Sequence, residues 1–337
     1  MSPRHLLPRS NMLLRSTLAA LALGTAVYAV AVGSTERVTT RDIAIFPNGT
    51  WVENINILSN GQLLVTLLNV PELYQVDPRG IQEPRLVKRI SGVEGLLGIA
   101  EVTPDVFAVI AGNLSLATDV STAGSYSIWK IDARSYPAKS SKIADIPKGI
   151  LLNGMTLLDK EGTVLIADSG AGVVYSVNAN TGKYQVVLDD PSMKPAAGAA
   201  IQIGINGLHT HNGFLYFTST TQGLFARVPI KADGTALGPV QVIARPGSVD
   251  DFTFDAAGSA YVATNSGNTL LKITAQGAVT TVAGNADSTT LAGATSAHFG
   301  VGSEKSVLYV TLDGRFTNAA GQTSIRDGKV VGISGLV

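Results

Sequence analysis

EGTVLIADSGAGVVYSVN, residues 161–178, is the stretch that decides the fold. It passes from a turn into an apolar run of strand length, then through a second turn into a second strand. Five relatives of this pattern occur elsewhere: NGQLLVTLLNVPELYQVD from Asn60, PDVFAVIAGN from Pro104, NGFLYFTSTTQGLFARV from Asn212, AGSAYVATNSGNTLLKIT from Ala257 and KSVLYVTLDG from Lys305. With Leu64, Phe107, Leu165, Tyr216, Tyr261 and Tyr309 as equivalent points, the step is roughly 43 to 58 residues, the period of propeller blades. Six repeats of about four strands each predict an all-β chain folded as a six-bladed β-propeller, with its top loops converging on a central channel.

Composition agrees with this. Of the 337 residues only 15% are charged, the formal net charge is zero and 36 are glycine. No helical periodicity follows residue 35, and the unbroken repeat argues for one domain over residues 32–337. Neutral charge leaves no footprint for nucleic acid or an anionic membrane surface. With no cysteine, disulfide, zinc-thiolate and thiol chemistry are excluded. A chain of this length buries enough surface to need no staples.

The N-terminus reads as an address. Arg4, Arg9 and Arg15 precede the uncharged run Ser16 to Val32, which ends in Ala29-Val30-Ala31. That is the layout of a signal peptide over residues 1–31, with cleavage near Ala31. A single membrane anchor is the alternative, since the run is at the short end of a spanning helix. The sequons at Asn48 and Asn113 predict glycosylation in a secretory pathway. After cleavage no stable membrane association is expected. Thr39–Phe46 and Gly328–Gly335 both alternate like strands and are expected to complete one blade between them. The small-residue linkers Leu116–Ser125 and Pro191–Ile205 are expected between blades, overhanging the channel.

A second register lies roughly 10 to 14 residues before the blade points. It holds Glu53-Asn54, Glu94-Gly95, Asn153-Gly154, Asn206-Gly207, Asp250-Asp251 and Thr295-Ser296. Such residues enter each innermost strand and are expected to face the channel at similar depth. Glu53, Asn153, Asn206 and Asp250 would then form an oxygen-rich cage suited to a hard cation, Ca²⁺ above all. The structural alternative is that Asn-Gly pairs are hairpin turns and the carboxylates are caps. His209 or His211 could act as a general base, or both could be rim residues of a hairpin. His298 is read as packing beside Phe299, and Asp168 as a turn residue. No phosphate loop, dinucleotide fingerprint or Ser-His-Asp grouping is visible.

The chain resembles the superfamily of senescence marker protein, gluconolactonase and luciferin-regenerating enzyme, which are six-bladed calcium-dependent propellers. The matching segments are ENINILSNGQLLV at Glu53, NGMTLLDKEGTVLIADS at Asn153, INGLHTHNGFLYFTS at Asn206, VDDFTFDAAGSAYVAT at Asp250 and TSAHFGVGSEKSVLYVT from Thr295. The resemblance implies that Glu53, Asn206 and Asp250 are metal ligands and that Asn153 binds metal or substrate. The chain departs from the pattern at Val249-Asp250-Asp251 and at Trp51-Val52-Glu53-Asn54, and Phe252 follows the acidic pair.

Three functions compete. One is a Ca²⁺-dependent lactonase or esterase, with the metal on the carbonyl and Asp250, Asp251 or His209 activating water. Another is implied by a resemblance to secreted fungal members of the superfamily that act as hetero-Diels–Alderases, joining a quinone methide to a terpene alkene. There Trp51, Phe252 and the 191–205 loop would wall an apolar cavity, while Asn153, Asn206 and a cation would polarise the carbonyl. A non-catalytic binding propeller is the third. The expected partner in either enzyme is a small, apolar molecule, and no nucleotide or organic cofactor is expected.

Overall fold

In the computed structural model, residues 37–118 and 120–336 are described. The proposed signal segment lies outside the described residues. Six four-stranded antiparallel sheets form the blades. Their innermost strands are Val52–Ile57, Gly95–Thr103, Leu152–Leu157, Ile205–His211, Phe252–Phe254 and Ala294–Phe299, for blades one to six in chain order. Blades one to five are each a local meander. In blade six the third strand is the C-terminal Asp327–Ser334 and the fourth is the N-terminal Thr39–Asn48, which pair in antiparallel register. The two ends of the chain thus close the ring, as their alternation predicts.

The second strands read as continuous apolar runs because they are covered on both faces. Leu63–Leu67, Val106–Gly112 and Leu308–Leu312 are buried at every position. The outermost strands meet solvent on one side, and Tyr184–Asp189 is mostly exposed. The cores lie between neighbouring blades. Phe107, Leu64 and Ile99 pack between blades one and two; Tyr216, Phe225 and Phe252 pack between blades four and five.

At the head of the inner strands the pairing slips. Register shifts fall between Val52 and Asn54, Leu96 and Ile99, Leu152 and Met155, Ile205 and Leu208, and Ala294 and Ser296. A bulge puts two residues against one and re-aims the side chains there. Three threonines of the second strands lock these bulges to the next blade. Thr66 Oγ1 accepts from the Asn54 N–H at 3.1 Å and donates to the Leu97 carbonyl at 2.7 Å. Thr218 does the same between Gly207 and Asp250, at 3.0 and 2.6 Å. Thr311 does so between Ser296 and Glu53, at 3.1 and 3.4 Å.

Two expectations need correction. By the threonine link, Leu97-Gly98 are the blade-two counterparts of Glu53-Asn54, in place of Glu94-Gly95; Glu94 is exposed before the strand begins. The Leu116–Ser125 linker falls inside blade two, between its second strand and Ser127–Asp132, where residues Leu114–Ser115 and Val120–Ser121 pair as a small arm. The Pro191–Ile205 loop does lie between blades, joining three to four.

Candidate functional site

The bulged residues build two stacked rings at the head of the channel. The first ring is Glu53, Leu97, Asn153, Asn206, Asp250 and Thr295, each buried. The second is Asn54, Gly98, Gly154, Gly207, Asp251 and Ser296. Its glycines answer to close approach of the inner strands: a Cβ on Gly98 would stand 2.3 Å from the Asn153 carbonyl oxygen, and one on Gly154 2.5 Å from that of Asn206.

The first ring is divided by chemistry. Blades five, six and one contribute Asp250, Thr295 and Glu53, and Asp313, at the end of the second strand of blade six, joins them. Blade two contributes Leu97, which packs in one apolar cluster with Leu68, Leu151 and, partly buried, Trp51, Leu116 and Ile203. Blades three and four contribute the amides Asn153 and Asn206, so the acids of blades five and one face an arc of one leucine and two amides.

Burial shifts three of these carboxyls upward. Burial pushes the Glu53 carboxyl up to about 8, reinforced by Asp313 and Asp251, while the hydrogen bond from Trp51 opposes the shift. That bond runs from Trp51 Nε1 to Glu53 Oε2 at 2.5 Å. Burial likewise raises Asp250 well above the carboxylate range, with Glu53, Asp251 and Asp313 adding repulsion and a bond from Asn206 opposing. Burial pushes Asp313 up to about 7, although Asn265 Nδ2 and the Arg315 N–H donate to it at 2.9 and 2.6 Å. Desolvation disfavours the charged form, and several carboxyls in one dry site cannot all ionise.

Asp251 lies in the second ring. Its Oδ1 accepts from the Phe252 N–H at 2.8 Å and lies 3.3 Å from His209 Nε2. Its Oδ2 accepts from Asn54 Nδ2 at 2.9 Å and Ser296 Oγ at 3.4 Å. Asn54, Asp251 and Ser296 therefore form a polar crossbar beneath the first ring, joining blades one, five and six.

The sequence-predicted residues thus fall into groups. Glu53, Asn206 and Asp250 meet in the first ring, Trp51 is tied to Glu53, and Asn153 is buried on the same ring. His209 reaches Asp251 from one step deeper. Phe252 is fully buried against Phe225 and Phe254, meeting the channel through the His209 ring at 4.8 Å. His211 does not join them; it stacks on Phe254 at 4.8 Å. His298, read as packing beside Phe299, is half-buried and bonds through Nδ1 to the Phe299 carbonyl at 2.7 Å. Asp168 accepts from four backbone N–H groups, those of Ile150, Leu151, Gly170 and Ala171, as a turn residue does. Asn48 is exposed and Asn113 half-buried.

Leu97, Asp313 and Arg315 were not singled out from the sequence. Asp313 was within reach, since it is the one acid of the quoted run KSVLYVTLDG.

Oxygen donors are the only ligands on offer in the first ring. Asn206 Nδ2 donates to Thr220 Oγ1 at 2.9 Å, while Asn206 Oδ1 is buried with no hydrogen-bond partner. An orphaned oxygen beside two carboxyls fits a hard cation in its chemistry. Among the described residues, no group of three or more His, Asp or Glu side chains is arranged to hold a metal ion.

No family model matches the chain. It is 29% identical over 270 residues to a Phoma sp protein named "Putative hetero-Diels-Alderase", covering 71% of this chain and 76% of that one. A protein of Sarocladium schorii with the same description is 27% identical over 213 residues, and the match spans about half of each chain, 56% and 53%. Among solved structures, a luciferin-regenerating enzyme superposes with TM-score 0.65 at 16% identity, covering 89% of this chain and 96% of that one. A calcium-binding protein, regucalcin, from Agrobacterium tumefaciens superposes with TM-score 0.56 at 16% identity, covering 87% and 95%. The structural matches speak for the fold. Together with the two sequence matches they bear out the superfamily resemblance carried by the motifs.

Proposed function

We propose that this chain is an enzyme of hetero-Diels–Alderase type, which joins a quinone methide to the alkene of a terpene at the head of the central channel. The observation that carries this reading is a buried acid, Glu53, beside an apolar cluster at the head of the channel, where the neighbouring ring member Leu97 packs with Trp51, Leu116, Leu151 and Ile203. A cycloaddition makes its two bonds together and requires neither nucleophile nor base. It requires two reactants held in register in a dry cavity. It also gains from a hydrogen-bond donor on the heterodiene carbonyl, where negative charge develops. A carboxyl kept neutral by burial is such a donor, and Glu53, held up to about 8, is placed for that role. Leu97, Leu116, Leu151 and Ile203 would hold the alkene beside it. The names of the two sequence relatives support the same choice.

The test is turnover with a quinone methide released in solution beside an excess of a terpene alkene, read by chiral chromatography. A single enantiomer formed above the background rate is expected. A racemic product at the background rate overturns the reading.

A second reading, a calcium-dependent lactonase, is favoured by the unpartnered Asn206 Oδ1 between acidic neighbours. Glu53, Asn153, Asn206 and Asp250 would hold the ion, which when bound supplies a Lewis acid for an ester carbonyl. In that case His209, oriented by Asp251, would take the proton from water. Lactone hydrolysis abolished by chelator would decide for this reading, and turnover of neither substrate class would leave a binding propeller. Secretion and glycosylation at Asn48 and Asn113 are proposed on the sequence of the N-terminal segment and the sequons alone.

A further inference from the structure

Two small hairpins project at the head of the channel. One is Leu114–Ser115 with Val120–Ser121, from blade two; the other is Arg315–Thr317 with Thr323–Ile325, from blade six. Blades two and six flank blade one, and one side chain joins the hairpins across it. Arg315 Nη2 donates to the Leu116 carbonyl at 3.0 Å. The same guanidinium lies 4.8 Å over the centre of the Trp51 ring, and the Arg315 backbone N–H binds Asp313 Oδ1 at 2.6 Å.

Trp51 is itself the donor to Glu53 Oε2. Anything that turns the indole turns the carboxyl, and with Oε2 occupied the other oxygen is the one left for a substrate. A half-buried indole on a loop has two torsions to settle; its N–H binds Glu53 and its face meets Arg315. The guanidinium carbon lies over the ring while one of its nitrogens reaches the Leu116 carbonyl, a span that the extended, planar group covers and a compact ammonium covers less well.

We propose that Arg315 is a positioning residue. It clamps the Trp51–Glu53 pair and ties the blade-two and blade-six hairpins together over the blade-one side of the mouth. The role of Glu53 toward a substrate rests on the function proposed above; the clamp does not.

Trp51 and Trp129 are the two tryptophans. Trp129 lies outside the site, bonded to Ser127 Oγ at 3.0 Å. Trp129→Phe therefore leaves Trp51 as a private reporter. In that background Arg315→Met and Arg315→Lys are compared by acrylamide quenching of Trp51 emission and by kcat and KM in the cycloaddition assay. Both variants are expected to raise the quenching constant about twofold as the ring loses its cover. Both should lower kcat about tenfold, because a displaced catalytic group loses much of its rate while a folded scaffold remains. Unchanged quenching overturns the clamp. Full recovery of quenching and kcat in Arg315→Lys also overturns it, since charge alone would then suffice. Raised quenching with an unchanged kcat overturns the positioning role. If the unsubstituted enzyme shows no cycloaddition, the functional reading fails, and the fluorescence still decides the clamp.

Discussion

Glu53→Gln isolates the claim that the channel acid is neutral in the folded chain. Burial holds the carboxyl from 4.5 up to about 8. Between those values the folded chain keeps a proton that the unfolded chain releases. Stability is therefore complete below the unfolded value and is lost as pH rises toward the folded one, at ~1.4 kcal/mol per pH unit. From about pH 5 to about pH 8 this reaches at most about 4 kcal/mol. Asp250 competes with Glu53 for the same protons, so about 2 kcal/mol is the expected share of this residue. Glutamine keeps the shape and still accepts from Trp51, but it does not titrate. The variant should be within about 1 kcal/mol of the wild type near pH 5 and gain about 2 kcal/mol on it by pH 8. The assay is urea unfolding at both pH values, followed by fluorescence and circular dichroism, with chelator present so that no divalent cation neutralises the acids. A wild-type-to-variant difference that does not change with pH refutes the reasoning. Glu53 would then be ionised in the folded chain, and its role as a hydrogen-bond donor would fall with it.

Three other substitutions test different parts of the structure. Thr218→Val keeps the shape but removes the hydroxyl that serves the Gly207 N–H and the Asp250 carbonyl; denaturant melts should show a loss of about 1–3 kcal/mol. Gly207→Ala would place a Cβ 2.1 Å from Asp251 Oδ1 and 2.6 Å from its Cα, so a loss of about 1–3 kcal/mol from overpacking is expected in the same melts. Leu97→Asn makes the one apolar member of the first ring polar, and should raise KM for the alkene about tenfold while leaving KM for the quinone methide little changed. Equal changes in both would refute a role for Leu97 in holding the alkene.

Much of the fold was legible because propeller blades are local. A turn, a doubly buried strand and a second turn leave a mark that repeats, and the closing pair Thr39–Asn48 and Asp327–Ser334 shows as alternation at both ends. Polar members of the first ring were legible for a related reason: Glu53, Asn153, Asn206 and Asp250 interrupt apolar surroundings at similar offsets. Leu97 was not, since a leucine within an apolar run carries no sign that it stands on a ring. Glu94 drew the blade-two register toward itself because it was the nearest polar residue. Arg315 was hidden because its partners, Leu116 and Trp51, lie in blades at the other end of the chain.

The sequence by itself determined the number of blades, their strand runs, the joining of the chain ends and the presence of acids and amides at the strand heads. These follow from short-range periodicity and burial, which neighbouring residues express together. The tertiary structure alone decided which of those side chains meet, and in what state. Thr311 supports Glu53 across 258 residues of sequence, and Asn54 reaches Asp251 across 197. Burial raises the Glu53, Asp250 and Asp313 carboxyls above the usual carboxylate range, and Asp251 accepts hydrogen bonds on both oxygens. Ionisation depends on water excluded and on charges gathered from distant blades, and neither exists until the ring has closed.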